Sequence, residues 1–192
     1  MNYYISDLHF GHKNVIKFDG RPFDNVDEMD ETLICLWNNK VKKEDHVYVV
    51  GDLCYRNGRQ EQWYLKQLNG HKHLILGNHD IKIQANEKAM SYFESVDQIK
   101  IIKDEEKDIV LCHFPLASWP MEHHGAWHIY GHVHGNGRDG ERLDVIEYML
   151  GKERTLNAGC MINNFTPASI NELIENNKRY WNKKANPDKT FH

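Results

Sequence analysis

Carboxylate, imidazole and amide side chains recur along this chain at short, fixed spacings: Asp7-x-His9, Gly51-Asp52, Gly77-Asn78-His79-Asp80, His113 and Gly131-His132-x-His134. Neutral imidazoles, carboxylates and one amide oxygen form a mixed nitrogen and oxygen donor set. Such a set suits manganese, iron, zinc or similar divalent ions rather than calcium. The donors are too many for one tetrahedral ion. Two ions roughly 3.5–4 Å apart, bridged by a carboxylate, strip a proton from a shared water near neutral pH and so make a nucleophile. Phosphate esters are the natural target of that chemistry. The bland alternative is that Asp7, His9 and the others cap turns and satisfy buried backbone groups.

Strands should position these donors. The runs 2–6, 46–50, 73–76, 108–112 and 127–130 are β-branched or aromatic-rich and end in glycine or polar residues. One block of donors follows each of them. In open α/β sheets the carboxyl ends of strands converge on one crevice, so a single site can collect every block. Gly51, Gly77 and Gly131 fit sharp exits from strands, which need positive φ or close backbone approach. Val26, Met29, Leu33 and Trp37 stand at helical spacing behind Asn25 and Glu28, placed as a capping box, and predict a helix over 26–39. Shorter helices are expected over 59–68 and 85–92, and Thr166-Pro167 opens another running to Asn177. The stretch 142–158 reads as a hairpin around Gly151, and the residues from Lys178 onward read as a polar, basic, solvated tail.

At 192 residues the chain can bury one substantial core, with little room for a second full domain or a large cap. The expectation is a single domain over 1–177 followed by a tail over 178–192. A composition of 40% hydrophobic and 27% charged residues is that of an ordinary globular protein. The net charge of −4 does not supply the broad basic surface of a sequence-independent nucleic-acid binder, so nucleic acid is less favoured as a partner than a small phosphorylated substrate. No apolar run approaches the roughly 18 residues of a membrane span, and no signal peptide precedes the first strand. A cytoplasmic location without a membrane partner is expected. Cys35, Cys54, Cys112 and Cys160 form no Cys-x-x-Cys pair and mostly neighbour aliphatic residues, which favours buried small hydrophobes over disulfides or a thiolate zinc site.

The five donor blocks, in this order, resemble the signature of calcineurin-like metallophosphoesterases, and the resemblance runs from Asp7 to His134. Asn157-Ala158-Gly159 resembles a final core strand of the family's small members. The resemblance implies an α/β (α+β) fold, a four-layer α-β-β-α sandwich of two mixed β-sheets flanked by helices. It implies Asp7, His9, Asp52 and His134 on one ion and Asp52, Asn78, His113 and His132 on the other, with Asp52 as the bridge. Two divalent ions are implied, manganese first, with iron, zinc or nickel as alternatives. His79 matches a position that faces the substrate rather than the metal, where imidazolium stabilises phosphoryl charge and protonates the departing oxygen. Asp80 matches a carboxylate that would fix the His79 tautomer, against its reading as a turn aspartate.

The implied activity is that of a dinuclear phosphoric ester hydrolase. A phosphodiester or nucleotide is favoured because the chain leaves no room for an enclosing cap. A phosphomonoesterase, a DNA or RNA nuclease and a noncatalytic module on the same fold are the alternatives. His12, Asn14, Arg21 and Arg56 follow the first and second blocks and are candidates to grip phosphate oxygens. Serine/threonine protein phosphatases of the superfamily carry an arginine at the offset of Arg56. Tyr55-Arg56-Asn57 in place of Asp-Arg-Gly, and Asp80 in place of glutamate, depart from their pattern and argue against protein-phosphatase activity. His71, His73, His123, His124 and His128 lie outside the motifs. His123 and His124 fall in the segment 119–127, whose aromatics suit either stacking on a base near the crevice or core packing. Ligand imidazoles must be neutral, so metal occupancy and activity are expected to fall below about pH 6.

Overall fold

The computed structural model describes residues 1–55, 58–135 and 143–185. Its first sheet joins β1 (Asn2–Ile5), β2 (His46–Val49), β3 (His71–Ile75) and β4 (Phe93–Asp97) in that order, with every pairing parallel. The strands are short and apolar because both faces are covered. Tyr3, Ile5, Val47, Val49 and Leu74 pack on one side, and Tyr4, Tyr48, Val50 and Ile75 on the other.

A single residue, Gln98, separates β4 from β5 (Ile99–Asp104), so the chain changes sheets at that point. The second sheet continues through β6 (Lys107–Cys112), β7 (Trp127–Tyr130) and β8 (Thr155–Asn157). Here β5 is antiparallel to β6 and the other pairs are parallel. Ile109, Leu111, Ile129 and Leu156 face the first sheet across the central core.

Helices cover the outer faces. The short α1 (Lys13–Asp19), α2 (Val26–Lys40) and α3 (Glu61–Leu65) lie on the side of the first sheet, and Met29, Leu33, Trp37, Tyr64 and Leu65 join its outer cluster. Full burial of each such side chain stabilises by roughly 1.5–3 kcal/mol. The Asn25 side chain caps α2 by accepting from the Glu28 N–H at 3.0 Å, while the Glu28 carboxylate accepts from the Asp24 N–H rather than that of Asn25. The short α4 (Glu87–Met90) follows, and α5 (Leu143–Leu150) lays Ile146 and Met149 against Tyr130 and Val133 on the outer side of the second sheet. Finally α6 (Ile170–Ala185) packs along β1 and β8. The protein is therefore an α/β fold of two four-stranded sheets flanked by helices.

Several expectations are corrected. The first sheet is wholly parallel, so only the second is mixed. Within 142–158 there is no hairpin among the described residues. Leu143, Ile146 and Met149 recur every three residues and form a helix, and only Thr155–Asn157 is extended. The expected tail does not begin at Lys178: α6 continues to Ala185, because Trp181 packs against the Tyr130, Val133 and Met149 cluster. The helix expected over 59–68 shrinks to α3, and that over 85–92 to α4 preceded by a 3-10 turn, Asp80–Ala85. Among the described residues no helix is long and apolar enough to cross a membrane.

Candidate metal centre

The parallel strands β1, β2 and β3 deliver Asp7, Asp52 and Asn78 at their carboxyl ends, and β6 and β7 deliver His113 and His132 from the second sheet. The two sheets are joined at this end, where the Ser6 N–H donates to Ala158 O at 2.9 Å and the Cys160 N–H to Ser6 O at 3.0 Å. Asp7, His9, Asp52 and His132 all sit in the left-handed backbone region, with φ of 56°, 53°, 56° and 67°. Outside glycine each such residue costs on the order of 1 kcal/mol, and conformations of this kind gather where a site demands a particular side-chain aim.

The glycines before the donors make room for them. Gly51 has φ of 88°, and a Cβ there would stand 2.1 Å from His113 Nδ1. A Cβ on Gly77 would meet Asp52 Oδ1 at 2.3 Å, and one on Gly131 would meet Ser6 Oγ at 2.5 Å. Any side chain at these positions displaces a donor or the group that holds it.

Several donors are held by partners within the chain. His113 donates from Nδ1 to Val50 O at 2.8 Å, which leaves Nε2 facing Asn78 Oδ1 at 3.3 Å and Asp52 Oδ2 at 3.5 Å. His134 donates from Nδ1 to the Asp19 carboxylate at 2.8 Å, and its Nε2 points at Asp7 Oδ1, 3.4 Å away, and at His9 Nε2, 3.1 Å away. A ring nitrogen tied in this way fixes the tautomer and leaves the other nitrogen free to bind a cation. Asp7 is held in turn by the Ser6 hydroxyl at 2.6 Å and the His132 N–H at 3.1 Å, and Asp52 by the His79 N–H at 2.9 Å. The loop carrying His132 and His134 is braced from behind: the Asn157 side-chain amide donates to Val133 O, and Asn177 of α6 buckles onto the Asn157 backbone.

This donor set fits divalent ions. Ligand atoms of Asp7, His9 and His134, of Asp7, Asp52 and His113, and of His9, Asp52 and His79 each fall within 4.8 Å of one another. His9 Nδ1 is buried without a hydrogen-bond partner, a loose end typical of a functional arrangement. The charge balance points the same way. Burial pulls the His113 and His134 pKa values down, but Asp52 and Asp7 beside the first, and Asp19 and Asp7 beside the second, outweigh it and push them up to about 9 and about 10. Burial likewise works to raise Asp7, but His134, His113 and His9 hold it well below the usual carboxylate range. Protons on imidazoles thus supply the positive charge that these buried carboxylates require when no cation is present.

No family model matches the chain. The uncharacterized protein MJ1445 of Methanocaldococcus jannaschii is 34% identical over 175 residues, covering 90% of this chain and 89% of that protein. The chain belongs to the MJ1445 family. The gene 66 protein of Mycobacterium phage L5 is 30% identical over 159 residues, covering 69% of this chain and 76% of its own length. The crystal structure of AQ665, a protein of unknown function from Aquifex aeolicus, superposes with a TM-score of 0.69 at 27% identity, covering 91% of this chain and 98% of that one.

In this MJ1445-family chain the seven expected metal donors converge, with the His132 ring 5.2 Å from that of His113. His79 lies at the open rim, more than one-third exposed, its Nε2 4.0 Å from Asp52 Oδ2. Asp80 departs from expectation. It is buried and accepts from the N–H groups of Asp52, Gly77 and Leu53 at 2.8, 2.8 and 3.1 Å, so it pins the Asp52 loop rather than orienting the His79 ring. Burial, followed by the Asp52 charge, raises its pKa to about 6 despite those donors.

Arg21 is no phosphate grip either. Its buried guanidinium clamps Asp19 and donates to Leu8 O and Asp7 O, and through Asp19 it holds His134. His12 stacks on Tyr55 at 3.6 Å, centroid to centroid, and its edge meets His9, which keeps it at the rim. Burial, then the His79 charge, lowers its pKa to about 4. Asn14 is exposed in the first turn of α1, and Arg56 lies outside the described residues. In the segment 119–127 Trp119 packs against Val110 and Ala126, Trp127 packs on the central core, and His123 and His124 are exposed. His128 is buried and satisfied by Val110 O and the Leu116 N–H. Cys54, Cys112 and Cys160 are buried and free, and Cys35 is exposed.

Proposed function

We propose that this protein is a dinuclear, metal-dependent phosphoesterase of the calcineurin-like kind, acting on a phosphodiester or nucleotide. One observation carries the reading: two buried carboxylates and the imidazoles of His9, His113 and His134, delivered from the ends of β1, β2, β6 and β7, come within ligand reach of one another, with ring nitrogens already committed to Val50 O and Asp19. Asp7, His9, Asp52 and His134 would hold one divalent ion and Asp52, Asn78, His113 and His132 the other, manganese being the first candidate. Divalent ions held by these residues would neutralise phosphoryl oxygens and would supply a nucleophile from water at neutral pH. The chain's own residues do the rest. Asp80, the Asp19–Arg21 pair and the Asn157–Asn177 brace hold the donors rigid, because small displacements at such a site are costly. His79, at the rim and beside Asp52, is placed to donate a proton to the departing oxygen, a role contributing roughly 100- to 10,000-fold. The exposed rim, floored by Phe114 against His132 and by the His12–Tyr55 stack, favours a flat leaving group.

The deciding experiment is hydrolysis of p-nitrophenyl phosphate and bis-p-nitrophenyl phosphate by metal-stripped protein resupplied with manganese. Diester cleavage that requires the metal and vanishes in Asp52→Asn supports the proposal. Preference for the monoester converts it to a phosphatase. A protein that binds two ions and cleaves neither ester is either narrowly specific for another substrate or a noncatalytic module.

A further inference from the structure

Four side chains of the first sheet that the candidate metal centre does not use gather at the opposite, amino-terminal ends of its strands. The β2–β3 register sets His46 beside His71 and Tyr48 beside His73, so all three imidazoles share the face that carries Tyr48. Their rings overlap: His46 stacks on His71 at 4.9 Å and on His73 at 5.3 Å, and His73 stacks on Tyr48 at 4.6 Å. The β3–β4 pairing then slips. Lys72 pairs with Phe93 and His73 with Ser95, which leaves Glu94 as an extra residue. A bulge of this kind re-aims a side chain, and here it brings the Glu94 carboxylate onto the His71 ring.

From this geometry we infer a second metal site, formed by His46, His73 and Glu94 and selective for a borderline transition ion of the zinc type. One donor atom from each lies within 4.8 Å of the other two, and His46 Nδ1 stands 3.0 Å from His73 Nε2. The supporting contacts repeat those of the other pole. His73 Nδ1 is engaged by Ser95 Oγ at 3.0 Å, as His113 Nδ1 is by Val50 O, and Glu94 is held by His71, as His134 is held by Asp19. Ligands tied on their far side have their near side set for a cation. Two imidazole nitrogens and one carboxylate oxygen favour zinc, nickel or copper over magnesium or calcium. Three protein donors leave room for water or an exogenous ligand, and Glu94 and His71 are exposed, so the ion enters from solvent. Burial, and then the nearby His46 and Lys100 charges, lowers the His73 pKa.

The test is zinc titration of the Asp7→Asn/Asp52→Asn protein, in which the carboxylates of the other centre are gone. Binding is followed by calorimetry and by nitrogen-15 shifts of the histidine rings. One equivalent of zinc should still bind, moving the ring nitrogens of His46 and His73. Adding His46→Gln or, separately, the surface change Glu94→Gln should weaken that binding by about tenfold or more. In the otherwise wild-type protein the same two changes should remove one equivalent from the zinc stoichiometry and reduce, without abolishing, the zinc-dependent rise in Tm. If the Asp7→Asn/Asp52→Asn protein folds yet binds no zinc, or if its zinc affinity survives both His46→Gln and Glu94→Gln, these histidines form only a hydrogen-bonded chain and the inference fails. If that background does not fold, unchanged stoichiometry in the single variants overturns it equally.

Discussion

The two ends of the parallel sheet carry histidine clusters built on opposite terms. At the carboxyl end Asp7 and Asp52 are each 2% exposed, four donor residues occupy left-handed backbone, and His134 and His113 are oriented by Asp19 of α1 and by the Val50 carbonyl just past β2. At the amino end the histidines lie on regular strand backbone, the one carboxylate is exposed, and the supporting contacts come from neighbouring strands. Buried negative charge is the difference that matters. Without a compensating cation it is costly, so the carboxyl end needs either protons or metal ions to exist in its folded form. The amino end has little such need, and any ion there should be easily gained and lost.

The sharpest way to break this contrast is Asp52→Asn. It should remove metal from the carboxyl end and reduce metal-dependent ester hydrolysis to background, measured by metal analysis and by turnover of the diester. His79→Ala is expected to lower kcat by roughly 100- to 10,000-fold while leaving metal content unchanged, which separates proton donation from metal binding. Asp19→Asn removes the carboxylate behind His134 and should weaken metal affinity by about 10- to 100-fold, read by competition with a chelator.

A pH series sharpens the comparison further. His113 and His134 have folded pKa values of about 9 and about 10, above the unfolded value, so their contribution to the stability of metal-free protein is complete below about pH 6.5 and is lost as pH rises through 9 to 10. Chemical denaturation should show that decline, and saturating manganese should suppress it. Metal affinity should accordingly still be climbing between pH 7 and 9, well above the pH 6 threshold that unperturbed imidazoles imply. The smallest effect belongs to the amino end: His46→Gln should leave diester turnover within about twofold of wild type, because this half-buried residue stands at the opposite end of the sheet from the reacting groups.

Much of the scaffold could be read locally. β1, β2, β3, β6 and β7 lie within two residues of where β-branched and aromatic runs and their glycine or polar ends put them, and Asn25 caps α2 as its spacing implies. Elsewhere local signals misled. α1 buries only Val15 and Asp19, too little for a periodic pattern, and β4 and β5 are half-exposed strands rich in charge. In α5 a helical period was masked by β-branched residues and a following glycine. Arg21 reads locally as a candidate phosphate grip and Asp19 carries no local signal, yet both are buried and act as a pair on His134 and the Asp7 backbone.

The sequence by itself determined which residues bring donor groups to the carboxyl ends of the strands, because donor type and the strand-then-donor spacing are properties of the local chain. Only the tertiary structure decided which atoms face one another: that Asp80 serves the Asp52 loop, that Arg21 is clamped inside, and that an extra residue in β4 turns Glu94 toward His71. Those outcomes depend on partners far away in the chain and on which groups lose water together, and neither is encoded in any short stretch of residues.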